Sequence, residues 1–251
     1  MFLLVFVQSE GISLNEVNFS FYSFELLFDS APIKSILLSL FFAIVTTSIC
    51  ILLGYLVAYT LYRSKIKNKF FILLIFILPM WSNLLLRIQA VGSLLEENNI
   101  LTDILGNIGI HFSLNINGSY LAIIIGMVVT YLPFMILPIY NALEKIDPSL
   151  DEAASDLGVP KLKTFFKVTL PLSLKGIISG SIMVFLPAVS GFAIPQILGK
   201  GNVLLIGNII EQSFKNMNYN FGSLLAIILL LLILGSLVII NKTDKEGETL
   251  L

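Results

Sequence analysis

Charge is scarce in this sequence. Asp, Glu, Lys and Arg together make up 12% of 251 residues, against 57% hydrophobic. So little charge cannot cover a soluble domain of this length, which excludes a soluble enzyme or binding module and leaves a membrane protein. Cysteine and histidine are scarcer still: Cys50 and His111 stand alone. That excludes an internal disulfide and leaves no cluster of metal ligands. Cys50, inside an apolar run, reads as a small packing residue. Also missing are a P-loop, a dinucleotide-binding glycine pattern and a Gly-x-Ser-x-Gly elbow, and Gly199-Lys200-Gly201 has the wrong spacing for a phosphate cradle. No catalytic residue, metal site or resident cofactor is therefore assigned. The net charge of −1 is uninformative, and no nucleic-acid partner is expected; what matters is where the charges sit.

Long uncharged stretches mark candidate spans. They run between Lys34 and Arg63 and over 70–86, 119–143, 176–199 and 221–240. A helix needs about 20 apolar residues to cross a hydrocarbon core of ~30 Å, so the pattern predicts five helices embedded in membrane lipid. The second is short, and is expected to continue past Arg87 to about Gly92 with the guanidinium reaching the interface. The segment Met1 to Val7 is apolar but too short to span. It reads either as the outer end of a truncated first span or as an interfacial N-terminus on a five-span protein. Two outer loops show apolar residues at helical spacing, Leu101, Ile104, Leu105 and Ile108 in one and Leu204, Ile209 and Phe214 in the other.

Lys and Arg orient the bundle. Arg63, Lys65, Lys67 and Lys69 fill one short loop; Lys145, Lys161, Lys163, Lys167 and Lys175 fill another; Lys242 and Lys245 lie in the tail. These sides are expected to be cytoplasmic, with a cytoplasmic C-terminus. The opposite loops carry almost no Lys or Arg; only Lys200 and Lys215 break the pattern.

The most informative stretch is 147–171, DPSLDEAASDLGVPKLKTFFKVTLP. Asp147 can cap a helix, Pro148 suits its first position, and Asp151 and Glu152 favour its dipole. Gly158 can end it in a left-handed turn, and Pro160 redirects the chain. The result is a helix of about 10 residues, roughly 15 Å long. Leu150, Ala153, Ala154 and Leu157 form an apolar stripe, opposite Asp151, Glu152, Ser155 and Asp156. An acidic face is unlike a helix resting on lipid headgroups, which carries Lys and Arg. Geometry alone leaves two readings level: a helix seated in a partner's groove, or a connector packed on its own bundle.

Glu152-Ala153-Ala154, then Gly158, then Leu170-Pro171 resembles the EAA motif of type I ABC importer permeases, with Val168 where that family has isoleucine. Further segments resemble the spermidine/putrescine branch of that family: Pro79 to Asn83, Arg87-Ile88, Leu132 to Met135, Glu144-Lys145, Leu186-Pro187-Ala188, Leu204 to Asn208 and Phe221-Gly222. The resemblance covers nearly the whole chain. It implies one transmembrane domain over 1–251, of an all-α helical-bundle fold, in a bacterial plasma (inner) membrane. It implies that Leu150, Glu152, Ala153, Ala154, Leu157, Gly158, Leu170 and Pro171 couple to a cytoplasmic ATPase dimer, which binds the ATP. It implies a second homologous permease and an extracytoplasmic solute-binding protein as partners. Members begin with a complete first span, which favours the truncated reading of Met1 to Val7.

Four residues are candidates for the solute pathway. Trp81 lies 12 residues after Lys69 and Pro187 12 residues after Lys175, which in straight helices puts both about 18 Å from the inner interface. Around them, Trp81 and Phe192 offer ring faces to a cation and Asn83 and Ser190 offer oxygens. The plainer readings are an interfacial tryptophan and ordinary proline kinks. Glu211 reads as a solvated acid of an outer loop that could also meet cargo. No carboxylate lies deep in a span, which argues against a secondary carrier, and no catalytic pair lies there, which argues against an intramembrane enzyme. Polyamine is the expected cargo; sulfate, ferric ion and phosphonate remain open, because the EAA motif reads the ATPase rather than the solute.

Overall fold

A computed structural model describes residues 7–8, 18–19, 22–27, 29–97, 99, 102, 104 and 115–243. Most of the opening apolar run, residues 1–6, lies outside the described residues, as do Leu101, Leu105 and Ile108 of the outer loop. Val7 belongs to a two-residue strand, β1 (Val7–Gln8), paired antiparallel with β2 (Asn18–Phe19). All other regular structure among the described residues is helical.

The helices are α1 (Tyr22–Leu27), α2 (Ser30–Arg63), α3 (Lys69–Ile77), α4 (Leu84–Leu94), α5 (Tyr120–Glu144) and α6 (Pro148–Asp156). They continue with α7 (Lys161–Thr164), α8 (Leu170–Leu172), α9 (Leu174–Ser190), α10 (Ala193–Leu198), α11 (Ile206–Lys215) and α12 (Tyr219–Thr243). Helices α2, α5 and α12 are each long and apolar enough to cross a membrane, and up to five spans result if each of two bent helix pairs counts as one.

Those bent pairs correct the expectation of straight spans. Between α3 and α4 the chain turns by 100°. Pro79 opens a 3₁₀ turn (Leu78–Trp81), Ser82 is extended, and Asn83 starts a new helix by accepting from the Leu85 and Leu86 amides (2.8 and 3.4 Å). Trp81 therefore ends the helical run that starts at Lys69, immediately before the corner. Arg87 does not reach for an interface as expected: its Nη1 donates back to the Pro79 carbonyl (2.7 Å), across the corner. The second bend, 59°, separates Lys161–Leu172 from α9. The stretch 176–199 is not one helix either. It stops at Ser190, Gly191 is extended, and α10 begins at Ala193.

The core is built by α2, α5 and α9, which pack on one another. Met135 of α5 is completely buried between two glycines. A methyl on Gly54 of α2 would lie 2.8 Å from its Cγ, and one on Gly180 of α9 would lie 2.7 Å from its Sδ. Close approach through small residues is how helices associate where lipid replaces water as solvent. Phe42, Cys50, Met127, Ile136, Ile139 and Val184 fill the space around this contact. Pro133 and Pro138 lie inside α5 without ending it, as proline can where neighbouring helices surround the freed carbonyls.

The two lysines that break the charge pattern both have acidic partners. Lys200 lies 3.5 Å from Glu96 and Lys215 lies 2.6 Å from Glu211.

Gly176 of α9 is tighter still: a methyl there would stand 2.6 Å from both the Pro138 carbonyl oxygen and Ala142 Cβ. Backbone cannot step aside as a flexible side chain can. Gly176→Ala is therefore expected to cost about 1–3 kcal/mol, lowering the unfolding midpoint by about 2–4 °C per kcal/mol. Gly235→Ala in α12 meets nothing within 4 Å and should be neutral or slightly stabilising. A thiol-reactive dye in detergent reads both variants, since buried Cys50 is the sole cysteine.

Candidate functional site

Two groups of candidate residues occupy opposite ends of α9. At the basic end lies α6. Asp147 starts it, accepting from the Ser149 amide at 2.9 Å. That bond, together with the Ser149 hydroxyl, holds the Asp147 carboxyl below its ordinary value. At the other end of the helix Gly158 is left-handed (φ +70°). The Val159 amide donates to the Ala154 carbonyl (3.0 Å) and the Leu157 amide to Ala153 (3.2 Å). This six-to-one closure over a left-handed glycine is a Schellman turn. The side chains of Asp151, Glu152 and Ser155 lie outside the described part of the structure.

The apolar stripe of α6 is not packed on its own bundle. Leu157 is 82% exposed and Leu150 42%; Ala153 is exposed and Ala154 half-buried. Leu162 and Phe166 beyond the turn are exposed as well. An uncovered apolar ridge of this kind marks a surface that meets something else.

From α6 the chain grips the bundle through aromatic rings. Phe165, in a π-helical turn (Phe165–Thr169), packs edge-on against Tyr55 and Tyr59 of α2, with centroids 5.7 and 5.0 Å apart. The Tyr55 hydroxyl and Ser173 Oγ lie 3.0 Å apart, at the bend before α9. Pro171 lacks the amide that α-helical bonding would need here. Leu170 lines a cavity of about 980 Å³ with these tyrosines, while Pro171 is exposed.

The other end of α9 opens into a second cavity, of about 550 Å³. Ser190 and Phe192 line it together with Glu211, Phe214 and Lys215. Ser190 Oγ donates to the Leu186 carbonyl (2.9 Å), so its lone pairs remain open to a donor. Trp81 and Asn83 are not among the lining residues. Asn83 Oδ1 is engaged as the cap of α4, which removes it as a ready cargo oxygen. Trp81 is 81% exposed on the surface of this chain. Sequence alone paired Trp81 and Asn83 with Ser190 and Phe192 by depth; of the four, the cavity gathers Ser190 and Phe192.

The sequence reading missed the residues that hold the far end of α9 in place. Asn208 donates to the Phe192 carbonyl (2.9 Å) and accepts from the Leu205 amide (3.1 Å). The Ile206 amide donates to Ser39 Oγ on α2 (2.8 Å). Tyr131 donates to the Pro187 carbonyl (3.2 Å). A buried asparagine three residues into a helix is a capping signal, and it was present in the run Leu204 to Asn208.

Comparison with known proteins fits this geometry. Residues 2–242 match the family described as binding-protein-dependent transport system inner membrane component. The spermidine/putrescine transport system permease protein PotB of Haemophilus influenzae is 41% identical over 205 residues, covering 80% of this chain and 71% of that protein. PotB of Escherichia coli K12 is 35% identical over 226 residues, covering 89% and 82%. Among solved structures, a bacterial ABC transporter that imports the acidic polysaccharide alginate superposes with a TM-score of 0.78 at 16% identity, covering 93% of this chain and 86% of that one. The same kind of transporter in complex with an alginate-bound periplasmic protein gives 0.76. With the family model matching residues 2–242, the chain belongs to the inner membrane components of binding-protein-dependent transport systems.

Proposed function

We propose that this chain is one permease subunit of an ATP-driven importer and that its cargo is polyamine, spermidine or putrescine. The observation that carries the subunit reading is the uncovered stripe of α6, with Leu157 82% exposed beside a Schellman turn. A short helix that presents two leucines and a close-approach alanine suits a groove on a cytoplasmic ATPase. ATP is bound and hydrolysed in that ATPase dimer; this chain carries the path and not the chemistry. Leu150, Glu152, Ala153, Ala154, Leu157 and Gly158 form the coupling contact. Leu170 and Pro171 fix the turn that hands it to α9. The whole chain acts as one transmembrane domain, with the basic end and C-terminus facing the cytoplasm. The outer mouth receives cargo from a solute-binding protein. Supporting the cargo are the names of the relatives, which are spermidine/putrescine permeases.

A push on α6 has a direct route. It passes through the Gly158–Pro160 turn to Phe165, which is wedged on Tyr55 and Tyr59, and through Ser173 into α9. Aromatic contacts are stiff and specific in angle, so α2 and α9 would move with the segment. Trp81, at the corner of α3 and α4, is large, apolar and exposed, and is assigned to the face shared with a second, homologous permease. There its ring can meet a passing cation.

Gly158→Val tests the coupling contact. A Cβ at Gly158 meets nothing within 4 Å, so any loss comes from backbone strain, about 1–2 kcal/mol for a left-handed L-residue and more when β-branched. The variant should insert normally but co-purify with less ATPase and transport little, whereas Gly158→Asn should keep much of both. Full ATPase recovery with normal transport by Gly158→Val would remove the coupling role.

Trp81 is tested by uptake of radiolabelled putrescine and spermidine into vesicles holding the complete transporter. A ring face is worth roughly 0.5–2 kcal/mol to a cation. Trp81→Leu should therefore lower uptake with assembly intact, and Trp81→Phe should keep part of it. Equal uptake by wild type and Trp81→Leu would place Trp81 outside the pathway. A wild type that couples to its ATPase but moves no polyamine would redirect the cargo to another small solute.

A further inference from the structure

The cavity at the outer end of α9 holds an ion pair that the rest of the fold does not need. Glu211 and Lys215 are one turn apart on α11, with Lys215 Nζ 2.6 Å from Glu211 Oε1. The two partners are unequally placed. The Glu211 side chain is 23% exposed and set into the cavity wall, whereas that of Lys215 is 64% exposed and reaches in from outside. Lys215 can swing away into water, since its side chain is already largely solvated. Glu211 cannot turn out as readily, and it is the one carboxylate among the described residues lining the cavity.

The wall around Glu211 is rigid. Gly207 packs so closely on the preceding loop that a methyl there would lie 2.6 Å from the Ser190 carbonyl oxygen. Asn208 ties α11 to the Phe192 carbonyl, and the Ile206 amide ties it to Ser39. The rest of the lining is apolar: Phe192, Ile210, Phe214, Ala226 and Leu229. The cavity is thus a fixed carboxylate beside a greasy wall with two rings. Its present guest is a lysine arm, four methylenes ending in an ammonium.

We propose that Glu211 is the cation-receiving carboxylate of the outer mouth, and that an alkyl-diammonium cargo enters by displacing the Lys215 ammonium from it. The proposal rests on the polyamine reading above. A free diammonium carries the group that Glu211 already holds, on a methylene chain that the apolar wall accepts. Its second ammonium finds the faces of Phe192 and Phe214 and the open lone pairs of Ser190. Lys215 acts as a tethered competitor: it keeps the carboxylate paired when no cargo is present and supplies an exchange partner, so release of the cargo leaves no bare anion in the wall. At the carboxylate the exchange is one ammonium for another and needs no proton transfer; the displaced Lys215 ammonium moves into water, and the cargo's second ammonium rests on the rings and the Ser190 oxygen.

The test is putrescine uptake by the complete reconstituted transporter with saturating cargo-loaded binding protein, so that the rate reports the permease. Glu211→Gln should lower the rate about tenfold in the assembled complex, the worth of a charge-assisted hydrogen bond to an ammonium. Lys215→Met removes the competitor and should transport at or above the wild-type rate. The double variant should match Glu211→Gln. If the pair is merely a staple of α11, Glu211→Gln and Lys215→Met fall together, and the proposal is overturned. An unchanged rate for Glu211→Gln overturns it equally. Should Glu211→Gln fail to assemble, Lys215→Met decides alone: a rate at or above wild type supports the exchange and a loss refutes it. Absence of any putrescine or spermidine uptake by the wild type overturns the cargo reading and this proposal with it. Normal wild-type uptake with an indifferent Glu211 overturns the proposal alone.

Discussion

The seating of Met135 between Gly54 and Gly180 is the contact on which the bundle depends. It brings α2, α5 and α9 within side-chain reach at a single level, and every other feature is placed relative to those three helices. An unbranched thioether suits the role, since it fills an irregular gap without a fixed shape. Because lipid is as apolar as leucine, such tight packing, more than the burial of grease, selects one arrangement. That leaves the outer faces of α2 and α12 with exposed leucines such as Leu52, Leu56 and Leu231, as a lipid solvent permits.

Much of this was legible in the sequence. The spans at α2, α5 and α12 follow from uncharged length alone, because a membrane imposes that length on any helix that crosses it. The shape of α6 was equally plain, from Asp147 and Pro148 at its start to Gly158 at its end. Each of those residues acts through its own backbone, so the signal is local and survives in any context. The stripe of Leu150 and Leu157 was legible too, but not whether its own bundle covered it. That is a tertiary fact: the exposure of Leu150 and Leu157 depends on the fold.

What sequence could not give is angle. Pro79 announced an interruption, yet a 100° corner needs Ser82 extended, Asn83 recapping and Arg87 reaching back over the Pro79 carbonyl. Depth counted in residues from Lys69 holds as far as Trp81, where the helical run ends, and fails for Asn83 and beyond. Glu211 was misjudged for a related reason. An acid in an outer loop looks solvated until α11 is known to press it against the end of α9. The lysines told the same story from the other side. Lys200 and Lys215 seemed to offend the charge rule, and each proves to answer a carboxylate.

The two ends of α9 are anchored by different means, and the difference bears on how a permease of this design could work. At the basic end α9 meets α2 through rings and one hydroxyl pair, Tyr55 and Ser173. That joint is held by the angular preference of its rings, and Gly176 beside it packs directly on the α5 backbone. At the far end, Pro187 and Phe192 offer their carbonyls to Tyr131 and Asn208. Those bonds join α9 to α5 and α11 and resist rotation. Between them α9 is 17 residues long, about 26 Å of continuous helix. A rod gripped at both ends would pass a displacement of its basic end to the far joint as a unit. Gly207 and Asn208 belong to that unit, so Glu211 would keep its distance from Phe192 while the mouth as a whole changes its aspect. A rigid site on a moving rod can alter its access without altering its chemistry, which is what a transient stop on a solute path requires.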